Sequence, residues 1–520
     1  MKAYASYGAP PEIQAYALAK YSRSSQSMSQ SIEELSAQRA EQFLDTFYFQ
    51  YGHRSIADLA HVTMAIENCS LLAEFYITDE SLWDGQSRST RYQNFHKNNF
   101  YIPQSIAKQP ELLEPFRNAL HTALDNYRCI TDMCIRIIEQ VTPKPDAMDP
   151  TAYKRTVKAR AFDVGRYFLP LATHTSVGQI TSARVLEQQI VRLNSLNIPE
   201  LTEIAEAMRM AARNPADNFV AKKIQQACES TKLSIEQTAG LLRELTETGI
   251  LETPAAPTLV KYTAASSFQS QAAEAARNAL RFVPPERAAA PSDIRKIILA
   301  APETDPLEAF AAEIIYLTEP NIRYPQALEY ARRASNETKT AAWNAAMELR
   351  GEYDELLRVQ RIGYMIVFDM LIDFGSLRDF HRHRRCLQII PQLGLDMGFD
   401  APADIFSLAF GPKGAEIAQE MGLFQEFSDR MEKSIATAAH FPDTTSGLYL
   451  APLGARQRAV FKMDIAEAAY IAELRSKPGG HFSYRHAAWQ MAEALTATYP
   501  FLKNSVRAVN PFETLDLLNR

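Results

Sequence analysis

The segment Leu377-Arg-Asp-Phe-His-Arg-His-Arg-Arg385 gathers Arg382, Arg384, Arg385, His381 and His383 into consecutive positions. A His-x-His pair is one way to begin a metal site. Here, however, guanidinium groups flank it and would repel a cation, and no third histidine or carboxylate stands at ligand spacing. The residue types suit an anion instead, above all a phosphate, because an arginine fork donates charge-assisted hydrogen bonds in a fixed plane. A second stretch, Trp83-Asp-Gly-Gln-Ser-Arg-Ser-Thr-Arg-Tyr-Gln93, places small hydroxyls and arginines in a turn-prone segment suited to phosphate or carboxylate. Each stretch has a plainer reading, as a solvated loop or a surface run of charge. Cys386, beside the basic cluster, reads as a buried structural thiol rather than an activated thiolate.

Helices must position most of these residues. Ser31-Ile-Glu-Glu34 is a capping-box pattern opening a helix over 31–50. Helical periodicity also runs through 107–141, 151–168, 182–212, 217–248, 324–358, 412–441 and 461–500. Two stretches predict strands: His61–Ile77, which alternates around Val62, Met64 and Ile66, and Gly363–Phe374, which is rich in β-branched and aromatic residues. Prolines 254, 257, 284, 285, 291, 302 and 306 forbid a continuous helix there and predict a connection between two halves. On either side the order repeats: helices, an apolar strand, a charged loop, helices, a Pro-Leu step and an arginine-bearing helix. The steps are Leu169-Pro170-Leu171 and Ala451-Pro452-Leu453, which points to an old internal duplication.

Composition narrows the class. The 520 residues are 46% hydrophobic and 22% charged, the balance of a globular chain with a filled core. A formal charge of −6 argues against a general nucleic-acid binder, which needs broad phosphate neutralisation, so RNA binding through Arg382–Arg385 is the least favoured reading. The five cysteines form no CxxC pair and read as reduced thiols, and no apolar run reaches the roughly 18 residues of a membrane span. The expectation is a soluble, cytoplasmic protein.

In kind and order these motifs resemble the flavin-dependent thymidylate synthases, whose signature is Arg-His-Arg, a short spacer, then Ser-x-Arg-Tyr. Here the signature is divided. The first half keeps Ser89-Thr90-Arg91-Tyr92, but Thr78-Asp79-Glu80 stands where Arg-His-Arg belongs. The second half keeps Arg382-His383-Arg384 without the Ser-x-Arg that should follow. Downstream, Arg166 precedes the first Pro-Leu step, whereas Leu448 precedes the second. The family's Ala-Arg pair is matched by Ala183-Arg184 and not by Ile465-Ala466. Its Leu-Arg followed by a histidine is matched by Leu474-Arg475 and His481 in the second half alone. Tyr51-Gly52-His53-Arg54-Ser55 is similar to the family's Gly-His-x-Thr segment.

The resemblance implies an α+β fold of two thymidylate synthase-like units, each a small antiparallel sheet flanked by helices, forming an intramolecular pseudo-dimer. The division would be 1–248, a proline-rich linker at 249–294, and 295–520. It implies methylation of dUMP to dTMP, with FAD as cofactor and methylenetetrahydrofolate and NADPH as co-substrates. By the same resemblance Arg475 is catalytic at the uracil edge, and Ser89, Arg91 and Arg166 bind the nucleotide with it. Ser55, Arg184, Arg382, His383, Arg384 and His481 would line the flavin. Active sites in the family are composite, so a dimer of two-half chains is expected, each half keeping what the other has lost. The family's glutamate two residues before the serine is Ser87 here, with Gln86 beside it. A different pyrimidine nucleotide, or a non-catalytic nucleotide- or partner-binding descendant, is the alternative.

Overall fold

A computed structural model describes residues 10–21, 54–90, 95–96, 99–217, 219–230, 234–247, 254–261, 263–266, 297–299, 305–318, 324–347, 366–391 and 393–518. In chain order the first elements are α1 (Pro11–Tyr21), β1 (His61–Ser70), α2 (Leu71–Ile77), β2 (Asp84–Ser87), α3 (Pro110–Val141), α4 (Pro150–Gly165), β3 (His174–Ser182), α5 (Ala183–Ser195), α6 (Pro199–Arg213), α7 (Phe219–Ser230) and α8 (Ile235–Glu247). Then follow β4 (Ile297–Leu299), α9 (Pro306–Thr318), α10 (Tyr324–Arg333), α11 (Asn336–Met347), β5 (Ile366–Asp373), α12 (Phe374–His381), β6 (Leu387–Ile389), α13 (Pro402–Glu420), α14 (Leu423–Ala439), β7 (Arg456–Met463), α15 (Ile465–Ser476) and α16 (Phe482–Thr498). This is the α+β class, with small antiparallel sheets flanked by helices.

The chain folds as two compact units whose boundaries are interleaved in sequence. The first gathers Met1–Arg88 and Thr175–Glu286, and the second gathers Ser89–His174 and Arg287–Arg520. The sequence-based boundaries at 248 and 294 follow the repeat, whereas compactness follows packing. Residues 89–174, including α3 and α4, pack with the C-terminal half because their apolar stripe buries there. Phe116 meets Phe441, and Phe168 meets Phe427, each edge to face.

The first unit holds a sheet of order β1-β3-β2, with β2 antiparallel to β3, and the second a sheet of order β4-β5-β7-β6. Without β4, the second order repeats the first. In both, a strand runs straight into a helix capped by its own last polar residue. Ser70 caps α2, Ser182 caps α5, Asp373 caps α12, and Asp464 immediately after β7 caps α15. The two Pro-Leu steps lie in the second unit and pair with each other. Leu171 N–H donates to Ala451 O at 2.9 Å and Leu453 N–H to Leu169 O at 3.0 Å. Ala172 N–H donates to Tyr449 O at 2.7 Å and Gly454 N–H to Tyr167 O at 2.9 Å. This reciprocity is what two copies of one segment make across a two-fold axis. Gly165 and Gly447 precede the matching turns, and a Cβ on either would fall within 2.5 Å of a neighbour (Thr131 Oγ1 or Ala438 O).

Several elements differ from expectation. The strand predicted over 61–77 stops at Ser70, where the serine hydroxyl caps α2 and turns Leu71–Ile77 into a buried helix. The helix predicted over 182–212 breaks at Asn197 (φ 55°), ahead of Pro199, and 412–441 breaks at Gly422 (φ 71°). Strands β3 and β7 were not foreseen, because His174–Ser182 mixes polar residues into both faces. The start of the expected linker is core: Ala255, Ala256, Leu259 and Val260 are buried in the first unit. The helix expected over 31–50 lies outside the described residues.

Candidate functional site

The basic cluster sits where β5, α12 and α15 meet in the second unit. Asp373, fully buried, ends β5 and accepts from Ser376 N at 2.8 Å, starting α12 while also accepting from the Ser483 hydroxyl. Helix α12 then delivers Arg378 and Asp379, and the turn after it delivers Arg382–Arg385. Helix α15 contributes Glu467 in its first turn and Arg475 in its last. Gly375, at the start of α12, lies against Arg166: a Cβ there would be 3.5 Å from Arg166 Nη2.

Arg166 enters this corner from the end of α4 and is 3% exposed. Its Nη2 is 3.8 Å from Asp379 Oδ2, and its Nε and Nη2 have no hydrogen-bond partner. Buried guanidinium nitrogens without acceptors carry a desolvation cost that an anionic ligand would offset. Burial pushes the Asp379 carboxyl upward, but the charges of Arg166, Arg382, Arg475 and Arg378 outweigh it and hold the group below its usual range. Asp379 is thus ionised at neutral pH, a minority anion among arginines.

Arg475 is pinned along one edge. Its Nε donates to His383 Nε2 at 2.8 Å, and its guanidinium lies over the Tyr484 ring at 5.5 Å. On the far side of the imidazole, His383 Nδ1 is 3.6 Å from Oε1 of Glu467, a carboxylate 2% exposed. Arg385 Nε stands 3.7 Å from Glu467 Oε2. Burial lowers the His383 pKa, with Glu467 pulling it upward and Arg475 downward, so the ring is neutral near pH 7. Nε2 can accept from Arg475 only in the tautomer that carries its proton on Nδ1. The terminal amino groups of Arg475 make no hydrogen bond to the described residues, and the side chain is half-buried. They are free to donate to a ligand.

The residues expected from sequence distribute as follows. Arg166, Arg382, His383, Arg384, Arg475, His481 and Ser89 belong to the second unit, and Ser55 and Arg184 to the first. Ser89 is half-buried, Ser55 exposed, and Arg91 lies outside the described residues. Arg184 makes an ion pair with Asp58 at 2.9 Å, partly open to solvent. Two of the flavin-lining expectations need correction. His481 is fully buried, its Nε2 against Asp163 O at 2.7 Å and its Nδ1 accepting from Ser483 N as the cap of α16, so neither ring nitrogen is open to a cofactor. His383 is 6% exposed and stands between Arg475 and Glu467 instead of presenting its ring outward.

Sequence reasoning missed Glu467, Asp379 and Tyr484. Glu467 directly follows the Ile465-Ala466 pair that had lost its arginine, and Asp379 lies inside the basic cluster itself. Neither position announces the contact made there. Cys386 behaves as expected: its Sγ lies 2.9 Å from His383 O and burial pushes the thiol up to about 12, leaving it inert. Arg485 is also structural, tying Ser476 O and the Thr514 hydroxyl together at 3.0 Å each. Among the described residues no group of three His, Cys, Asp or Glu side chains is placed to hold a metal, and no helix is long and apolar enough to cross a membrane.

The matching corner of the first unit is closed on itself. Where α12 leads to the basic turn, α2 leads to Asp79 and Glu80. Arg192 of α5 donates to Glu80 Oε1 at 2.8 Å and to Tyr76 O at 2.7 Å. Burial raises the Glu80 carboxyl, with Arg192 opposing. Beside them the Trp83 indole donates to Gln179, which exchanges hydrogen bonds with Gln189, whose amide donates to Ile77 O.

Comparison with known proteins gives the chain's relatives. Residues 5–216 match the family model described as thymidylate synthase complementing protein. The chain is 23% identical over 486 residues to a UPF0159 protein of Chlamydia muridarum, covering 92% of this chain and 83% of that one. It is 21% identical to a UPF0159 protein of Thermoplasma acidophilum, covering 95% and 94%. A shorter match, 31% over 81 residues, is to the flavin-dependent thymidylate synthase of Thermococcus onnurineus, covering 15% of this chain and 33% of that protein. Among solved structures, the ThyX of Helicobacter pylori complexed with FAD and dUMP aligns at 15% identity and a TM-score of 0.25, covering 40% of this chain and 92% of that one. Over residues 5–216 the chain is similar to the thymidylate synthase complementing proteins. It shares its long form with the UPF0159 proteins, which it matches over nearly its whole length.

Proposed function

We propose that the protein is an FAD-dependent methyltransferase that converts dUMP to dTMP with methylenetetrahydrofolate and NADPH. The observation that carries this reading is the meeting, in one compact unit, of Arg166 from the first sequence half with Arg382 and Arg475 from the second. In this reading the divided motifs complement each other. Ser89 and Arg166 hold the nucleotide with Arg91, and the acceptor-less nitrogens of Arg166 fit a phosphate. Arg475 sits at the uracil edge, where its two free amino groups stabilise negative charge developing on the pyrimidine. Fixed donors in a water-poor corner do this without reorganising during the reaction.

The donor set also suits a flavin dinucleotide. Arg382 and Arg384 are half-buried guanidiniums at a turn, the chemistry a pyrophosphate requires. Bound flavin supplies the hydride chemistry, which is the cofactor's own. What the chain contributes is the charge balance: Asp379 and Glu467 keep the arginines apart and aimed while leaving net positive charge for the two anions. The working form is a dimer of two-half chains in the cytoplasm.

Tritium release from C5-labelled dUMP, with FAD, NADPH and methylenetetrahydrofolate present, tests the reading. Release by the full chain supports it. A protein that binds dUMP but releases no tritium is the non-catalytic descendant, and release from another C5-labelled pyrimidine nucleotide alone reassigns the substrate.

A further inference from the structure

We propose that Glu467 and His383 form a positioning pair that orients Arg475, which makes the site's grip on its ligand depend on the protonation of one imidazole. This deepens the proposed function and rests on it for the identity of the ligand. An exposed arginine samples many rotamers, and ordering it costs affinity. Arg475 is already ordered: Nε is bound to His383 Nε2 at 2.8 Å and Tyr484 supports the guanidinium face at 5.5 Å. The order passes back to Glu467, whose Oε1, 3.6 Å from Nδ1, favours the tautomer with the Nδ1 proton and leaves Nε2 as acceptor. His383 touches none of the reacting atoms and acts only through Arg475.

The charged and titratable groups facing His383 are Arg475, Glu467 and Tyr470 from α15, Asp379 from α12, and Arg385 beyond Glu467. Burial and Arg475 keep the ring neutral against the pull of Glu467 and Asp379. A proton on Nε2 would remove the acceptor and leave two cations where a hydrogen bond had been. Arg475 would then swing away, so the nucleotide should be released as the pH falls below neutrality.

The test uses the full chain loaded with FAD. With ring-15N-labelled histidine, His383 Nε2 should be unprotonated and hydrogen-bonded at pH 7.5, and its resonance should shift in Arg475→Gln. A protonated Nε2, or no shift in that variant, overturns the pairing. This readout needs no nucleotide, so it stands even if dUMP fails to bind and the functional reading falls. For ligand affinity, dUMP is titrated against the flavin spectrum. His383→Leu, which cannot accept, should weaken dUMP about tenfold, the effect of about one lost hydrogen bond. His383→Gln, which can accept from Arg475 and donate to Glu467, should recover at least threefold of that loss. Wild-type affinity should fall between pH 7 and pH 5 more steeply than in His383→Gln, which separates the imidazole from the titration of the phosphate. Equal affinities in the Leu and Gln variants, both folded by melting temperature, overturn the positioning role, as does an identical pH profile for wild type and His383→Gln.

Discussion

Two corners of this molecule have the same construction and opposite electrostatics. In the first unit β1 runs into α2, and α5 supplies Arg192. In the second β5 runs into α12, and α15 supplies Arg475. Arg192 is consumed by Glu80, Asp79 and the Tyr76 carbonyl, so its charge is answered within its own corner. Arg475 is held by its Nε edge and by the Tyr484 ring, and shares its corner with Arg166, Arg378 and Arg382 around one aspartate. The lesson concerns how a duplicated unit can specialise. Substituting acids for the basic turn gives Arg192 a partner inside the protein, whereas keeping the turn leaves an excess of donors for something outside it.

The contrast is breakable. The largest effect should come from Arg475→Ala, which removes the free donors at the proposed uracil edge. Tritium release should fall by at least about a hundredfold, the scale of deleting one preorganised donor to a developing charge. Unchanged release would remove Arg475 from the chemistry. Next, Arg166→Ala should weaken dUMP about tenfold to a hundredfold, on the scale of one or two charge-assisted hydrogen bonds. Arg166→Lys should not restore it, because an ammonium lacks the planar fork. Affinity unchanged in both variants would mean that the buried nitrogens serve no anion.

The reciprocal change is made in the first unit. Arg192→Leu strands a carboxylate that burial already disfavours, and should lower stability by about 1–3 kcal/mol while leaving dUMP affinity intact. The loss should shrink in acid, as Glu80 takes up a proton at its raised pKa, and denaturant melts at pH 7 and pH 5 would show it. Loss of dUMP affinity in this variant would erase the distinction between the corners. The smallest effect is expected from Arg184→Ala. Its partly exposed ion pair with Asp58 contributes no more than about 0.5 kcal/mol, so the melting temperature should barely move. A fall in FAD affinity at unchanged stability would support the flavin role given to Arg184, and unaltered affinity would remove it.

The sequence made the chemistry legible where one residue type decides it. The Arg382–Arg385 turn declares an anion site because guanidiniums at that density repel one another unless something negative is shared between them. The Pro-Leu steps, the swap of Arg166 for Leu448 and the acidic residues at 79–80 were equally readable: the steps pair with each other, Arg166 enters the basic corner, and Glu80 takes Arg192 in the other. Strands β3 and β7 were not, since their polar residues are satisfied by neighbours far away in sequence, as Gln179 is by Trp83. The expectation that His481 and His383 would face a cofactor failed for a related reason. A histidine's role depends on what stands at its two nitrogens, and Asp163, Glu467 and Arg475 are distant or unremarkable as letters.

Composition and local pattern by themselves determined an α+β chain built from a repeated unit, with positive charge reserved for an anion in a protein of net negative charge. The tertiary structure decided which arginines are spent and which remain. Residues 89–174 bury their apolar stripe against the C-terminal half, and that packing carries Arg166 to Asp379. A guanidinium's availability depends on whether a carboxylate or carbonyl lies within about 3 Å of it, a distance set by folding the chain rather than by spacing along it.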